Sequence, residues 1–115
     1  MISIYFGHYH FNKESVELNA SDGIGVYYLG WVNPLTNILE TYYVGRALGT
    51  GVSVKSRLLD HLTNGWSDVV HFGYILCTSQ KEVEDLEAAE IKRIQPKYNT
   101  QGKTITLEDI LGLKS

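Results

Sequence analysis

The chain has 115 residues, of which 43% are hydrophobic and 20% charged, and its formal net charge is −3. This length and balance predict one globular domain with one core. No apolar run approaches the roughly 20 residues of a membrane span, and the start lacks a signal-peptide pattern. Cys77 is the only cysteine. We therefore expect a cytoplasmic protein with no membrane partner, no disulfide and no cysteine-based zinc site.

The charges are unevenly distributed along this acidic chain. Between residues 45 and 65 three cations accompany one acid: Arg46, Lys55, Arg57 and Asp60. Residues 92–103 carry four cations and no acid. The net charge counts against general nucleic-acid binding, which usually needs a basic surface, but it is compatible with a local basic patch.

The first part of the chain is predicted to form strands. Residues 2–11 alternate in polarity, which predicts a strand, and its His8 and His10 are interpreted as ordinary edge-strand residues. Residues 12–23 are predicted to be a polar connection. The stretches "IGVYYLGWV" and "ILETYYVG" flank the turn cluster "NPLTN", and together they predict a β-hairpin.

The register of this hairpin decides which tyrosines share a face. A turn centred on Leu35 places Tyr27 opposite Tyr43 and Tyr28 opposite Tyr42. One face then carries Tyr27 and Tyr43, while Tyr28 and Tyr42 belong to the core on the other. A loop of even length would instead put Tyr27 opposite Tyr42.

The second part of the chain is predicted to alternate helices with a strand. Ser53 caps a helix that ends at residues 64–65, and Arg57 and His61 share its flank. Its buried stripe is predicted to be Val54, Leu58 and Leu62. The strand "VVHFGYILC" is apolar on both faces, which indicates a central position.

The strongest helical pattern is "SQKEVEDLEAAEIKRIQP", with a capping box at Ser79 and Glu82 and a stop at Pro96. A short helix, "TLEDILG", is predicted further on. The expected fold is α/β in the broad sense (α+β). It has a small three-stranded antiparallel sheet flanked by helices, an extra N-terminal strand and a short C-terminal helix.

Two carboxylates fall on the apolar side of the long helix. With Val83 at zero on a helical wheel, Glu87 falls at about 40° and Glu90 at about 340°, inside the arc of Leu86, Ile91 and Ile94. A buried carboxylate is costly unless it is paired or binds a metal. Either such a carboxylate lies at the core edge, reaching solvent or an arginine, or it points into a cleft and holds a hard cation.

An ordered set of motifs resembles the GIY-YIG nuclease family. The set comprises "GVY" at 25–27, "YVG" at 43–45, Arg57 and His61 on a helix, and "LEAAEIKRIQPKYN" at 86–99. The resemblance implies a single domain over residues 1–115, with a family core at 23–99, an N-terminal extension at 1–22, and a C-terminal loop and helix at 100–115. It also implies a Mg²⁺-dependent endonuclease that hydrolyses phosphodiester bonds, with Mn²⁺ as a substitute ion.

The resemblance assigns a role to each matching residue. Glu87 would hold the metal, Arg57 the non-bridging phosphate oxygens, and Tyr43 would orient phosphate or water. Tyr27 would take the proton from water, either as a phenolate favoured by nearby Arg46, Arg57 or the metal, or by passing its own proton to His61. Asn99 completes the catalytic set and is expected to fix the helix end, and Arg46 and Lys55 would bind the substrate.

The sequence leaves alternatives to this function open. The expected substrate is DNA, with RNA as the alternative. Either a protein partner or a homodimer supplies specificity, or the N-terminal strand and the long loop supply it, or specificity is low. A second function is a catalytically inactive nucleic-acid-binding or protein-interaction module on the same fold. Glu90 motivates it, because it occupies a position where the family usually has a large apolar residue.

Overall fold

The computed structural model describes residues 4–101, so the helix predicted at residues 106–112 lies outside the described part. Eight elements follow one another along the chain. They are β1 (Tyr5–His10), α1 (Lys13–Asn19), β2 (Gly25–Asn33), β3 (Ile38–Ala47), α2 (Val54–Asn64), β4 (His71–Leu76), α3 (Gln80–Ile94) and α4 (Lys97–Gln101).

The strands form one antiparallel sheet in the order β1-β4-β2-β3. The β2–β3 hairpin and the central position of β4 were both expected from the sequence. β1 is the extra N-terminal strand, and it pairs with β4 at one edge of the sheet. The predicted α+β architecture is confirmed: three core strands, one added strand and flanking helices.

Helices cover both faces of this sheet, and each face has its own core. On the face covered by α1 and α2, here called the α2 face, the buried side chains include Val16, Tyr27, Leu29, Leu58 and Phe72. On the opposite α3 face they are Val26, Tyr28, Val44 and Val83. Each fully buried aliphatic or aromatic side chain contributes roughly 1.5–3 kcal/mol, so both faces stabilise the fold.

The segment predicted to be a polar connection contains helix α1. Asn12 caps it, since its side-chain oxygen accepts a hydrogen bond of 2.8 Å from the backbone nitrogen of Ser15. Val16 is fully buried in the α2-face core, while Leu18 is exposed. The prediction was wrong because a seven-residue helix with one buried apolar residue has almost no periodic signal.

Helix α2 begins and ends where the sequence predicts. Ser53 Oγ accepts from the backbone nitrogen of Ser56 at 3.0 Å, and Ser56 Oγ accepts from that of Ser53 at 2.9 Å. This reciprocal pair satisfies two helix N-terminal donors. Val54 and Leu58 are fully buried, Leu62 packs against the same core, and Gly65 ends the helix.

Helix α3 also keeps its predicted bounds. Ser79 Oγ accepts from the backbone nitrogen of Glu82 at 3.2 Å, which confirms the cap. The carboxylate of Glu82 bonds Thr78 Oγ1 at 3.1 Å, so the predicted capping box is formed on one side only. Gln95 has a left-handed backbone with φ of 53° and ends the helix just before Pro96.

No helix within residues 4–101 combines the length and the hydrophobicity that crossing a lipid bilayer would require.

Candidate active site

The centre of the candidate site is a hydrogen bond between a strand and a helix. β2 directs Tyr27 to the α2 face, where its side chain is fully buried. Its Oη lies 2.8 Å from Nε2 of His61, one helical turn beyond Arg57 on α2. Two residues that the sequence selected are therefore in direct contact.

A glycine of the neighbouring strand makes room for Tyr27. Gly45 is its cross-strand partner in β3. A Cβ on Gly45 would lie 2.3 Å from Cζ of Tyr27, so any side chain there would overlap the ring. The tyrosine of the first motif and the glycine of the second are thus two halves of one packing contact.

Tyr43 lies beside this pair, although the predicted register was wrong. The loop is even, since Asn33 pairs with Ile38, and Tyr43 lies opposite Leu29. An even loop alone would put Tyr42 on the face of Tyr27. A bulge at Tyr42 restores the parity, so Tyr43 joins Tyr27 with ring centroids 6.2 Å apart.

The bulge also changes the position of Tyr42. It was predicted to belong to the core of the α3 face with Tyr28. Tyr28 is indeed buried there, but Tyr42 is half-buried and packs against the α2-face core. Its ring makes an edge contact with Tyr98, with centroids 6.3 Å apart. Displacement by one bulged residue therefore brings Tyr42 next to the candidate site.

Electrostatics around Tyr27 favour the neutral phenol. Burial raises its pKa above the usual value, Tyr43 adds to the rise, and Arg57 opposes it without reversing it. The expectation that nearby arginines favour a phenolate is therefore not met, because desolvation of the charged form outweighs their attraction. A protonated phenol donates to His61 Nε2 in one imidazole tautomer and accepts from it in the other.

The surroundings of His61 favour its neutral form. Burial lowers its pKa, and the positive charge of Arg57 lowers it further, while Asp60 acts in the opposite direction. The imidazole is thus neutral at pH 7, and in the tautomer with Nε2 unprotonated it can accept the proton of Tyr27. Tyr43 also contacts His61, with ring centroids 5.2 Å apart.

Arg57 supplies a positive charge beside Tyr27 and Tyr43. It is half-buried, and its pKa is raised first by Tyr27, then by Tyr43 and Asp60, with burial acting the other way. A guanidinium that is always charged and presents a planar set of N–H donors is well suited to phosphate oxygens.

Asn99 holds the backbone of β3 beside the site. Its Nδ2 donates to the carbonyl oxygen of Val44 at 2.8 Å, and its Oδ1 accepts from the Val44 nitrogen at the same distance. Val44 lies between Tyr43 and Gly45 on an edge strand, whose outward backbone groups lack a strand partner. Asn99 thus fixes the strand that carries the second motif, rather than the helix end as predicted.

None of the contacts described within residues 4–101 joins Glu87 to Tyr27 or Tyr43. It is half-buried on α3 and lies 3.9 Å from Arg46, its ion-pair partner, Oε1 to Nη1. Burial raises its pKa, and Arg46 partly offsets this rise. Arg46 follows Gly45 in β3, so this pair and the tyrosine cluster adjoin the same stretch of strand. Within residues 4–101 no group of three or more histidine, cysteine or acidic side chains could hold a metal.

Lys55 is not brought to this cluster by the contacts that the structure describes. Its Nζ lies 3.9 Å from Oδ1 of Asp22. At about 100° per residue it is roughly 160° from Arg57 around the helix, which explains the separation.

An aromatic stack beside the site was not anticipated. Trp66 stacks on Tyr98, with centroids 4.4 Å apart and planes 5° apart, and also contacts His61 and Tyr43. Tyr98 Oη donates to Asp68 at 2.7 Å. The only sequence signal was a tryptophan just after the helix stop at Gly65. We name Trp66 and Tyr98 the aromatic stack.

Comparisons with known proteins add no name to this geometry. No family model matches the chain, and neither the curated proteins nor the solved structures include a match. The case for function therefore depends on the residues themselves.

Proposed function

We propose that this chain is a metal-dependent endonuclease of the GIY-YIG type that hydrolyses phosphodiester bonds, with DNA as its substrate and RNA as the alternative. The observation that carries the proposal is the hydrogen bond of 2.8 Å between Tyr27 Oη and His61 Nε2, beside Tyr43 and Arg57. Four side chains of three types suited to phosphoryl chemistry, tyrosine, histidine and arginine, are gathered at one place between β2, β3 and α2.

The proton path follows from the pKa shifts. Tyr27 is a neutral phenol and His61 a neutral imidazole, so neither has to ionise before the reaction. As a water attacks phosphorus, Tyr27 accepts its proton and passes its own proton to His61. No free phenolate is needed, which answers the objection that a tyrosine pKa near ~10 is too high for a base.

The remaining residues bind and orient. Arg57 donates N–H groups to the non-bridging oxygens, where negative charge grows in the transition state. Tyr43 orients the phosphate or the water. Asn99 keeps β3 at a fixed distance from the centre through its two hydrogen bonds to Val44. The aromatic stack buttresses His61 and Tyr43.

Glu87 suits a divalent cation that is shared with the substrate. Its carboxylate is half-buried, and its ion pair of 3.9 Å with Arg46 is long. Mg²⁺ often binds one or two carboxylates plus substrate phosphates and waters, a mode that does not need three protein ligands in advance. The ion, Mg²⁺ or its substitute Mn²⁺, would neutralise phosphoryl charge and stabilise the leaving oxygen.

The test is a cleavage assay with Mg²⁺ or Mn²⁺ on supercoiled plasmid, linear duplex, single-stranded DNA and RNA. We expect cleavage of DNA that requires the ion and is lost in Glu87→Ala. Glu84→Ala, one turn earlier on α3, is the matched control and should cleave like the wild type. Absence of cleavage on every substrate with either ion would refute the proposal.

A second candidate is an inactive nucleic-acid-binding or interaction module. It is favoured by the complete burial of Tyr27, which fits a packing role as well as a chemical one. A gel shift that persists in Tyr27→Phe and Glu87→Ala, without turnover, would support this candidate instead.

The nuclease proposal also includes a cytoplasmic location and a protein partner or homodimer that provides specificity.

A further inference from the structure

The α3 face contains a cavity that none of the candidate active-site residues lines. It measures about 390 Å³ and lies between β1, the tip of the β2–β3 hairpin and the C-terminal part of α3. Its walls are mainly apolar and include Ile38, Leu39, Ile75 and Ile94. This volume falls within the range of small-molecule sites, which are typically apolar with a few polar groups.

The polar end of the cavity contains the carboxylate that the sequence left unexplained. Glu90 accepts hydrogen bonds from Tyr28 Oη at 2.7 Å, from Arg93 Nε at 2.6 Å and from Arg93 Nη2 at 3.0 Å. Three bonds and the opposite charge satisfy the carboxylate at the edge of the core. Glu90 therefore has little capacity left for a cationic ligand.

A second polar group on the cavity wall is also committed to partners. His8 Nε2 lies 3.2 Å from the carbonyl oxygen of Asn37, and because a carbonyl only accepts, this nitrogen carries the proton. His8 Nδ1 must then accept the hydrogen bond of 2.8 Å from Tyr5 Oη. The donors of Tyr5, His8 and Tyr28 are thus all used within the protein.

Arg93 provides the hydrogen-bond donors that remain at the polar end of the cavity. A guanidinium has five N–H groups, and in Arg93 the one on Nε and one on Nη2 donate to Glu90. This leaves both N–H groups of Nη1 and the second one of Nη2 for another acceptor. The side chain is 66% exposed at the cavity edge. Glu90 fixes the plane of the guanidinium, so an incoming acceptor meets an oriented donor rather than a flexible one.

We propose that this cavity binds a small aliphatic monocarboxylic acid, with its chain against the isoleucine and leucine walls and its carboxylate on the guanidinium of Arg93. The bonded pair of Glu90 and Arg93 has no net charge, and its remaining N–H donors match an anionic head group. An amine of the same length would meet those donors and a carboxylate that already accepts three hydrogen bonds. An alcohol would keep the apolar contacts and lose the charge-assisted bond.

The test is an NMR titration of the ¹⁵N-labelled full chain with hexanoate, hexan-1-ol and hexylamine, three probes of equal chain length. We expect hexanoate to cause saturable amide shifts at Thr41, Ile75 and Ile94, with affinity in the order hexanoate, hexan-1-ol, hexylamine. Hexylamine binding as tightly as hexanoate, or no saturable shift with hexanoate up to about 10 mM, would overturn the proposal.

Substitution of the arginine separates a specific site from general hydrophobic binding. Arg93→Gln should weaken hexanoate binding about tenfold or more while leaving hexan-1-ol binding nearly unchanged. Lys92→Gln removes the same charge from the preceding exposed position on α3 and should bind hexanoate like the wild type. Equal weakening in both variants would mean that net charge, and not Arg93, attracts the acid. This measurement does not involve nuclease activity, so it fails or succeeds independently of the proposed function.

Discussion

The two faces of the sheet carry similar pairs of residues. On the α2 face Tyr27 Oη is 2.8 Å from Nε2 of His61, and on the α3 face Tyr5 Oη is 2.8 Å from Nδ1 of His8. Each tyrosine ring occupies the place of a missing side chain on a neighbouring strand, above Gly45 in one case and Gly73 in the other. A tyrosine, a glycine and a histidine thus form the same local arrangement twice.

The two tyrosine–histidine pairs differ in the burial of the tyrosine and in the bonding of the nearby arginine. Tyr27 is completely buried, whereas Tyr5 is 38% exposed. On the α3 face Arg93 is fixed to Glu90 by two hydrogen bonds. On the α2 face the charge of Arg57 acts mainly on phenols. The same tyrosine–histidine pair therefore adjoins a neutralised cation on one face and a cation suited to phosphate on the other.

Removal of the two phenol hydroxyls tests this comparison most strongly. Tyr27→Phe should reduce the rate of phosphodiester cleavage by about 10³-fold, because a proton acceptor for the attacking water is lost. Tyr5→Phe should leave that rate within about twofold, since its hydroxyl bonds only His8 on the other face. Single-turnover cleavage of one DNA substrate measures both. Equal losses would remove the distinction between the faces.

Filling the two glycine positions tests packing. Gly45→Ala should lower the free energy of unfolding by about 3 kcal/mol, because the ring of Tyr27 is enclosed and cannot move away. Gly73→Ala should cost about 1 kcal/mol, because the partly exposed ring of Tyr5 can swing outwards. Urea denaturation gives both values. The reverse order would show that Tyr27 has more freedom than its burial suggests.

Of the three tests, acidification should give the smallest effect, which is a change in the free energy of unfolding. The folded-state pKa of His61 is lowered from the ordinary imidazole value of 6.5, mainly by burial and then by Arg57. Around and below pH 6.5 the unfolded chain therefore binds more protons than the folded chain. The free energy of unfolding falls as pH drops through about 6.5. His61→Gln should lose less stability than the wild type between about pH 7.5 and 5.5. His71, whose pKa burial also lowers, accounts for the part that remains. A steeper loss in the variant would contradict this assignment.

Much of the fold could be predicted because its signals are local. Ser53 and Ser79 mark helix starts through side chains that bond backbone nitrogens three residues away, and the chain shows these residues directly. The sequence pattern did not predict helix α1, because its single buried residue, Val16, produces no helical periodicity. The aromatic stack was missed because Trp66 and Tyr98 are 32 positions apart, and no local pattern predicts that they meet.

The sequence by itself determined that Arg57 and His61 share one flank of α2 and that two carboxylates lie at the core edge of α3, whereas it left open whether Tyr42 or Tyr43 joins Tyr27. Alternation in strands and the period of helices are intrinsic to the backbone, so they can be counted along the chain. Only the tertiary structure decided that a bulge at Tyr42 preserves the tyrosine pairing, and that burial keeps Tyr27 protonated beside His61. Register and desolvation depend on contacts between distant segments, which a linear pattern does not contain.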